Sequence, residues 1–403
     1  MLSEDDVLAA RDRVADVARH TPLDHSYSFS AMTDAAVHLK LENTQRTGAF
    51  KIRGAANRIR TLTDAEQAAG VVTASAGNHA QGVALAASRS GVDATVVMPE
   101  YAPYSKVTAT RSYGATVVLH GEDYNDAQAR AHEIERESDR VYVHAFDDED
   151  VMAGQGTIGL EILDDLPSVE TIVVAIGGGG LIAGIATAVK ARKPDVRVVG
   201  VQAEGAPSAA RALEQGSVCE LDGVDTIADG IATRSVGERT FPYIQDRVDE
   251  VVTVSDDEIA LAVTLLLERA KTLVEPAGAV PVAALLEERF DVDPDEVVVP
   301  LLSGGNIDMN LLTTVILRGL ADQGRYLKIR MTLPDRPGSL RQVTDVIADE
   351  RANIYAIEHD RTSGDIAMND TEIEVDMQTR GEEHVEGLLS RLREKGYDVE
   401  VLV

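Results

Sequence analysis

Tryptophan is absent from the 403 residues, and Cys219 is the single cysteine. One thiol excludes an intrachain disulfide framework and fits a reducing, cytoplasmic compartment. Lysine is scarce as well: 8 lysines stand beside 30 arginines, and 68 acidic residues leave a formal charge of -30. Such a field repels phosphate backbones and anionic headgroups, which excludes nucleic acid and membrane surfaces as partners. Excess carboxylate with little lysine resembles the acidic, halophile-like surfaces that keep proteins solvated in salt-rich cytosols. No signal peptide opens the chain, because Met1-Leu2-Ser3-Glu4-Asp5-Asp6 reads as an acidic helix start capped by Ser3. One uncharged stretch, Thr171 to Val189, is long enough to span a bilayer. Four consecutive glycines at its centre argue against a lipid-facing helix. What the chain does have is 44% hydrophobic residues, too many for disorder and enough for two or three domains.

Short β-branched runs alternate with helical stretches from about residue 37 to 320. Strands are predicted at 37–41, 71–73, 94–98, 116–119, 141–144, 171–176, 196–202, 250–254 and 296–302. Helices are predicted at 53–60, 77–88, 104–113, 125–138 and 181–191. Strands alternating with helices imply βαβ units and parallel sheets covered on both faces, an α/β fold. After Gln323-Gly324 the rhythm changes to βαββαβ, with strands at 326–333, 354–359, 371–377 and 397–402 around helices at 338–349 and 382–394. That order is a ferredoxin-like unit. The expected division is 1–322 and 323–403, with a small subdomain of about 42–144 inserted in the first domain.

Four strand-to-helix turns carry chemistry. Gly177-Gly178-Gly179-Gly180-Leu181 lets backbone N–H groups converge on an anion at the positive end of a helix. Three readings fit it: a phosphate-bearing cofactor, a dinucleotide with Glu204 as ribose ligand, or a plain glycine turn. Arg46 to Ala55, RTGAFKIRGA, sets Lys51 between Phe50 and Ile52 at a helix start. Partial burial there lowers an amine's pKa and suits Schiff-base chemistry, where a lone lysine is ordinarily a solvated cation. Ser75-Ala76-Gly77-Asn78-His79 offers helix N-terminal amides to a carboxylate and an amide to a ring oxygen. The alternative makes Ser75 or Asn78 a simple cap. His79 has no second His or Cys at ligand spacing, which disfavours metal binding through it. Ser303-Gly304-Gly305-Asn306 closes another strand end, where ligands gather in open α/β sheets.

AFKIRGA, SAGNHAQG, GGGGLI, EPAGA and SGGNID, in that order, resemble the threonine/serine dehydratase group of fold-type II pyridoxal-phosphate enzymes. The resemblance covers roughly residues 1 to 320. It implies two parallel-sheet three-layer domains of tryptophan synthase β type. It implies pyridoxal 5′-phosphate held covalently by Lys51, its phosphate on Gly177 to Leu181, its O3′ on Asn78, its ring nitrogen on Ser303 and its ring face on Phe50. Residues Ser75 to His79 then meet the substrate. A neutral Ser303 hydroxyl does not keep the ring nitrogen protonated, which favours prompt loss of a β-substituent. Lys51 takes the Cα proton, and in this group the cofactor phosphate protonates the departing hydroxyl. The implied reaction is L-threonine to 2-oxobutanoate and ammonia; L-serine ammonia-lyase and serine racemase activity are the alternatives within the group.

Racemase-like relatives carry Ser where this chain has Ala76, which has no proton to exchange, so one-base elimination is expected. Glu204 suits a divalent-metal site of those relatives, but Ala210 stands where an acid is expected, and no metal is assigned. Residues 333–340, LPDRPGSL, and Ala352-Asn353-Ile354 resemble an ACT domain. This implies paired domains that bind an amino-acid effector at Gly338 and Asn353, in a homo-oligomeric dimer or tetramer; the alternative is an assembly module without ligand. From a different class, the chain could be a catalytically silent amino-acid sensor, a reading that an intact Lys51 opposes. A nicotinamide requirement would mark the dinucleotide reading instead.

Overall fold

Ser3 caps the first helix, Glu4–Val14, in a reciprocal box: its hydroxyl accepts the Asp6 N–H while the Asp6 carboxylate accepts the Ser3 N–H. Thr63 with Glu66 and Ser255 with Glu258 repeat the device at two later helix starts. The computed structural model describes residues 1–361 and 367–403. It divides by contacts into Met1–Ile307 and Asp308–Val403, so the helix Met309–Asp322 groups with the second unit.

The strands in chain order are β1 (Leu23–His25), β2 (Ala36–Lys40), β3 (Val71–Ala74), β4 (Ala94–Met98), β5 (Thr116–Leu119), β6 (Val141–Tyr142), β7 (Thr171–Ala175), β8 (Arg197–Ala203), β9 (Glu250–Val254) and β10 (Val297–Pro300) in the first unit. The second unit contributes β11 (Tyr326–Pro334), β12 (Asn353–Asp360), β13 (Asp370–Gln378) and β14 (Val399–Val401). In the first unit one sheet runs β1-β2-β10-β7-β8-β9 and another β5-β4-β3-β6. Every pairing is parallel except β1 with β2. The short stretch 26–35 between those two is less than a parallel crossover needs, so β1 returns antiparallel as an edge. The four-stranded sheet lies in sequence between β2 and β7 and forms the smaller layer. Strands β3, β4 and β7 are buried along their whole length, as continuous apolar runs in covered parallel sheets must be.

The helix Glu149–Asp165 is buried over 13 of its residues, from Val151 to Leu163. Glycine lets it approach the helix Lys51–Arg60: a Cβ on Gly154 would lie 2.6 Å from the Gly54 Cα. Ile52, Ala55, Ala56 and Ile59 then fill the core beneath the small sheet with Val71, Val96 and Met98. Among the described residues no helix is long and apolar enough to cross a membrane. Thr171 to Val189 is instead strand, glycine turn and helix.

The second unit is a four-stranded antiparallel sheet in the order β12-β13-β11-β14. Buried and half-buried positions alternate along β13, Ile373, Val375 and Met377 facing the core with Leu388 and Leu392 of the helix Glu382–Glu394.

Candidate active site

Lys51 is the first residue of its helix, and its amine reaches across to the Ala145 carbonyl, 3.0 Å away, and over the Phe50 ring, 5.1 Å from the centroid. No carboxylate forms an ion pair with it among the described residues. Burial therefore dominates and pulls the amine down to about 8, the charge of Glu275 offsetting only part of the loss.

Two residues on, Arg53 faces the opposite way, as a spacing of two on a helix requires. Its guanidinium is 1% exposed and engages two carboxylates. Nε and Nη2 bond Glu42 at 2.9 and 2.7 Å, while Nη1 and Nη2 bond Glu161 at 2.6 and 3.0 Å. Lys40, fully buried, adds a second cation to the cluster, 2.7 Å from Glu161. Desolvation alone would lower the Arg53 pKa, but the two carboxylates outweigh it and hold the charge in place.

The glycine turn stands beside the same segment that meets Lys51. A side chain at Gly178 would run into the Phe146 ring, and one at Gly180 would lie 2.7 Å from the Phe146 carbonyl. Gly179 sits at φ +93°, which only glycine adopts without strain. Thr240 Oγ1 and the Gly237 N–H donate to the Gly178 carbonyl at 2.7 and 3.1 Å and fix the turn. Among the described residues none of the N–H groups from Gly177 to Ile182 donates to a protein acceptor. They open the buried helix Gly180–Arg192.

Ser303 is buried, and its carbonyl accepts the Phe50 N–H at 3.1 Å, while Ala49 bridges Gly304. Asn78 opens the helix Asn78–Ser90 behind Gly77. Its Nδ2 donates to Glu275 at 2.7 Å and its Oδ1 accepts from Asn306 Nδ2 at 2.8 Å. The Ser75 hydroxyl accepts the Gly77 N–H at 3.2 Å, and Ala76 packs against the small-sheet core. His79 is buried with Nε2 on the Val143 carbonyl at 2.9 Å and Nδ1 without a partner. Burial, reinforced by Lys51, depresses it to about 3, so the ring is neutral.

Thus Lys51, Phe50, Asn78, Ser303 and the glycine turn converge through the Ala145–Phe146 segment and the Asn306 link. Glu275, Asn306 and Phe146 carry no role in the sequence reading. The first two lie inside the quoted EPAGA and SGGNID motifs, and Phe146 has no local signal. Ala210 spends its N–H on the Gln202 side chain. Among the described residues no group of three His, Cys, Asp or Glu is placed to hold a metal ion.

Gly338, at φ +96°, caps the helix Ser339–Asp349 after the end of β11. Asn353 begins β12 opposite Gln378, and Gln378 pairs with Tyr326 at the start of β11. Gly338 and Asn353 therefore lie at opposite ends of one sheet. A cavity of about 460 Å³ lies on the Gly338 side, lined by Asp335, Arg336, Ser339, His359 and Arg361 among others.

Pyridoxal phosphate brings a phosphate, an aldehyde and a ring hydroxyl. The undonated amides of the glycine turn, the desolvated Lys51 amine and the Asn78 amide match these three groups in kind. The family described as pyridoxal-phosphate dependent enzyme matches residues 14–304, and the ACT domain family matches residues 323–395. An L-threonine ammonia-lyase of Geobacter sulfurreducens is 51% identical over 98% of this chain and 98% of its own. The structure of threonine deaminase isoform 2 from Solanum lycopersicum superposes with a TM-score of 0.74 at 39% identity, covering 77% of this chain and 85% of that one. Maize serine racemase gives 0.75 at 36% identity over 80% and 98%. The chain belongs to the fold-type II family of pyridoxal-phosphate-dependent enzymes and carries a C-terminal ACT domain.

Proposed function

We propose that this protein is a threonine ammonia-lyase that converts L-threonine to 2-oxobutanoate and ammonia, with L-serine a poorer substrate. One observation carries the site assignment: a desolvated, unpaired Lys51 amine beside a turn of undonated amides. When bound, pyridoxal phosphate supplies an electron-withdrawing ring conjugated to the substrate nitrogen, which acidifies the Cα proton.

The protein's part follows from its groups. The amides from Gly177 to Leu181 would bind the phosphate, and Phe50 would lie against the ring. The Ser303 hydroxyl would accompany the ring nitrogen without a charge. Asn78 would hold the ring oxygen. The turn Ser75 to His79 presents a helix N-terminus to the substrate carboxylate. An amine depressed to about 8 is readily neutral, so Lys51 accepts the Cα proton. The β-hydroxyl leaves as water with a proton that the cofactor's phosphate would supply, and the released enamine takes up one water to give the 2-oxo acid and ammonia. Ala76 offers no proton on the face away from Lys51, which supports elimination over racemisation despite the likeness to maize serine racemase.

The ACT domain, functionally residues 323–403 against a catalytic 1–322, binds an amino-acid effector at the Gly338 turn. Because Asn353 lies at the far end of the sheet, Asn353 joins that turn only from a second copy, so the working form is a homo-oligomer. Isoleucine is the inhibitory ligand and valine opposes it, within isoleucine biosynthesis in the cytoplasm. A coupling of about 1–3 kcal/mol, roughly 5–150-fold in affinity, is expected. The test is 2-oxo acid formation by the holoenzyme from L-threonine and L-serine, with and without isoleucine and valine. Threonine turnover with an isoleucine-shifted saturation curve supports the reading. D-serine as main product, or no 2-oxo acid, overturns the activity; an unshifted curve overturns the regulation.

A further inference from the structure

Glu275 precedes Pro276 at the N-cap of the helix Pro276–Leu286, where an acidic side chain ordinarily accepts amides of its own helix. It makes no such bond. Its carboxylate turns instead to Asn78 Nδ2, 2.7 Å away, and also receives the Asn306 backbone N–H. Asn306 completes the frame: its side-chain amide donates to Asn78 Oδ1 at 2.8 Å and to the Thr47 carbonyl at 2.6 Å. The backbone of Glu275 is tied down as well, its N–H donating to the Gly304 carbonyl at 3.0 Å. Asn78 is therefore gripped from both ends. With Oδ1 held by a donor and one Nδ2 hydrogen held by an acceptor, the amide cannot flip, and the second Nδ2 hydrogen remains for another acceptor.

We propose that Glu275 is a positioning residue, acting through Asn78 to aim the remaining amide hydrogen at the cofactor's ring hydroxyl. This rests on the reading that Asn78 meets that hydroxyl. Glu275 is half-buried; burial raises its carboxyl to about 7, and the Asn78 hydrogen bond works against the rise. The charged groups facing it are Lys51 from its helix, Lys106 from the helix Tyr104–Ser112, and Asp229 from the short turn Asp229–Ile231. Placing the acceptor here costs a half-buried acid and the helix its cap, costs that a purely structural glutamate would not explain.

The experiment is a pH titration of the holoenzyme's absorbance at about 410–420 nm, together with the rate of cofactor loss on dialysis, for a set of full-length variants. Glu275→Met fills the space without an acceptor, Glu275→Gln keeps an acceptor without the charge, and Asn306→Ala removes the opposing grip. Asn78→Ala is expected to shift the pH midpoint and to weaken cofactor retention about tenfold. Glu275→Met and Asn306→Ala should shift the midpoint the same way. The Asn78→Ala, Glu275→Met double variant should be no worse than Asn78→Ala, and Glu275→Gln should restore the wild-type midpoint. Additive losses, or a Gln variant as shifted as Met, overturn the positioning role and leave the Asn78 assignment standing. An unshifted Asn78→Ala overturns both. Should Glu275→Met not fold, an unshifted Asn306→Ala alone overturns the proposal.

Discussion

Lys51 and Arg53 are two residues apart on one helix, the first half-buried and the second buried, and their surroundings treat the two cations in opposite ways. Arg53 is given two bidentate carboxylates and keeps its charge more firmly than in water. Lys51 is given a carbonyl, an aromatic face and no carboxylate partner, and its charge becomes costly. The first environment anchors the helix to Glu42 and to the long buried helix carrying Glu161. The second makes a reactive amine. A rigid, paired cation behind the helix allows an unpaired one in front of it, because the backbone that presents Lys51 cannot relax to bring a counter-charge closer.

Removing Lys51 should give the largest effect and confine it to chemistry. Lys51→Ala is expected to abolish the visible absorbance band and any borohydride-trapped cofactor adduct, and to cut elimination by at least about 10²–10⁴-fold. An adduct retained on another lysine would sink the assignment.

The converse belongs to Arg53. Arg53→Met leaves the buried Glu42 carboxylate without its ion-pair partner and Glu161 with Lys40, and should destabilise the first unit by about 3–5 kcal/mol in denaturant unfolding. Lys51→Met, measured against cofactor-stripped wild type, should raise the melting temperature, because a costly, partly desolvated ammonium has gone. If both methionine variants move stability in the same direction, the contrast between the two cations is wrong.

The smallest expected effect is the acid limb of stability. His79 titrates near 6.5 when unfolded and at about 3 when folded. Below pH 6.5 the unfolded chain binds a proton that the folded chain refuses, so stability falls as the pH drops toward about 3. His79→Gln should flatten that slope in melting temperature against pH. His144, also depressed by burial, would keep part of it.

Much of this was readable in one dimension. Strands β4, β5 and β9 and the helix Glu382–Glu394 have the predicted bounds, because their ends carry turn residues and their interiors a clean period. The helix Glu149–Asp165 left no trace in the sequence reading. It is buried on all faces, so it has no polar stripe, and a period of 3.6 cannot be seen where every position from Val151 to Leu163 except Gln155 and Glu161 is apolar or small. The antiparallel β1 edge was likewise invisible in three residues.

At the site, the order of the motifs pointed to Lys51, the glycine turn, Asn78 and Ser303, since each needs a particular residue in a local turn. Local chain geometry is encoded locally: a glycine at positive φ, an amine at a helix start, a small-residue turn behind a strand. Phe146 against the glycines, Asn306 and Glu275 on Asn78, and the two carboxylates on Arg53 depend on contacts between residues 11 to 228 positions apart. No period or spacing reports such a contact. The charge states of Lys51, His79 and Glu275 come from burial and neighbours, which exist only once the tertiary structure has brought those segments together. The sequence by itself therefore determined the kinds of groups present and the turns that display them, while only the folded structure decided which are paired, which are neutral and which are free to react.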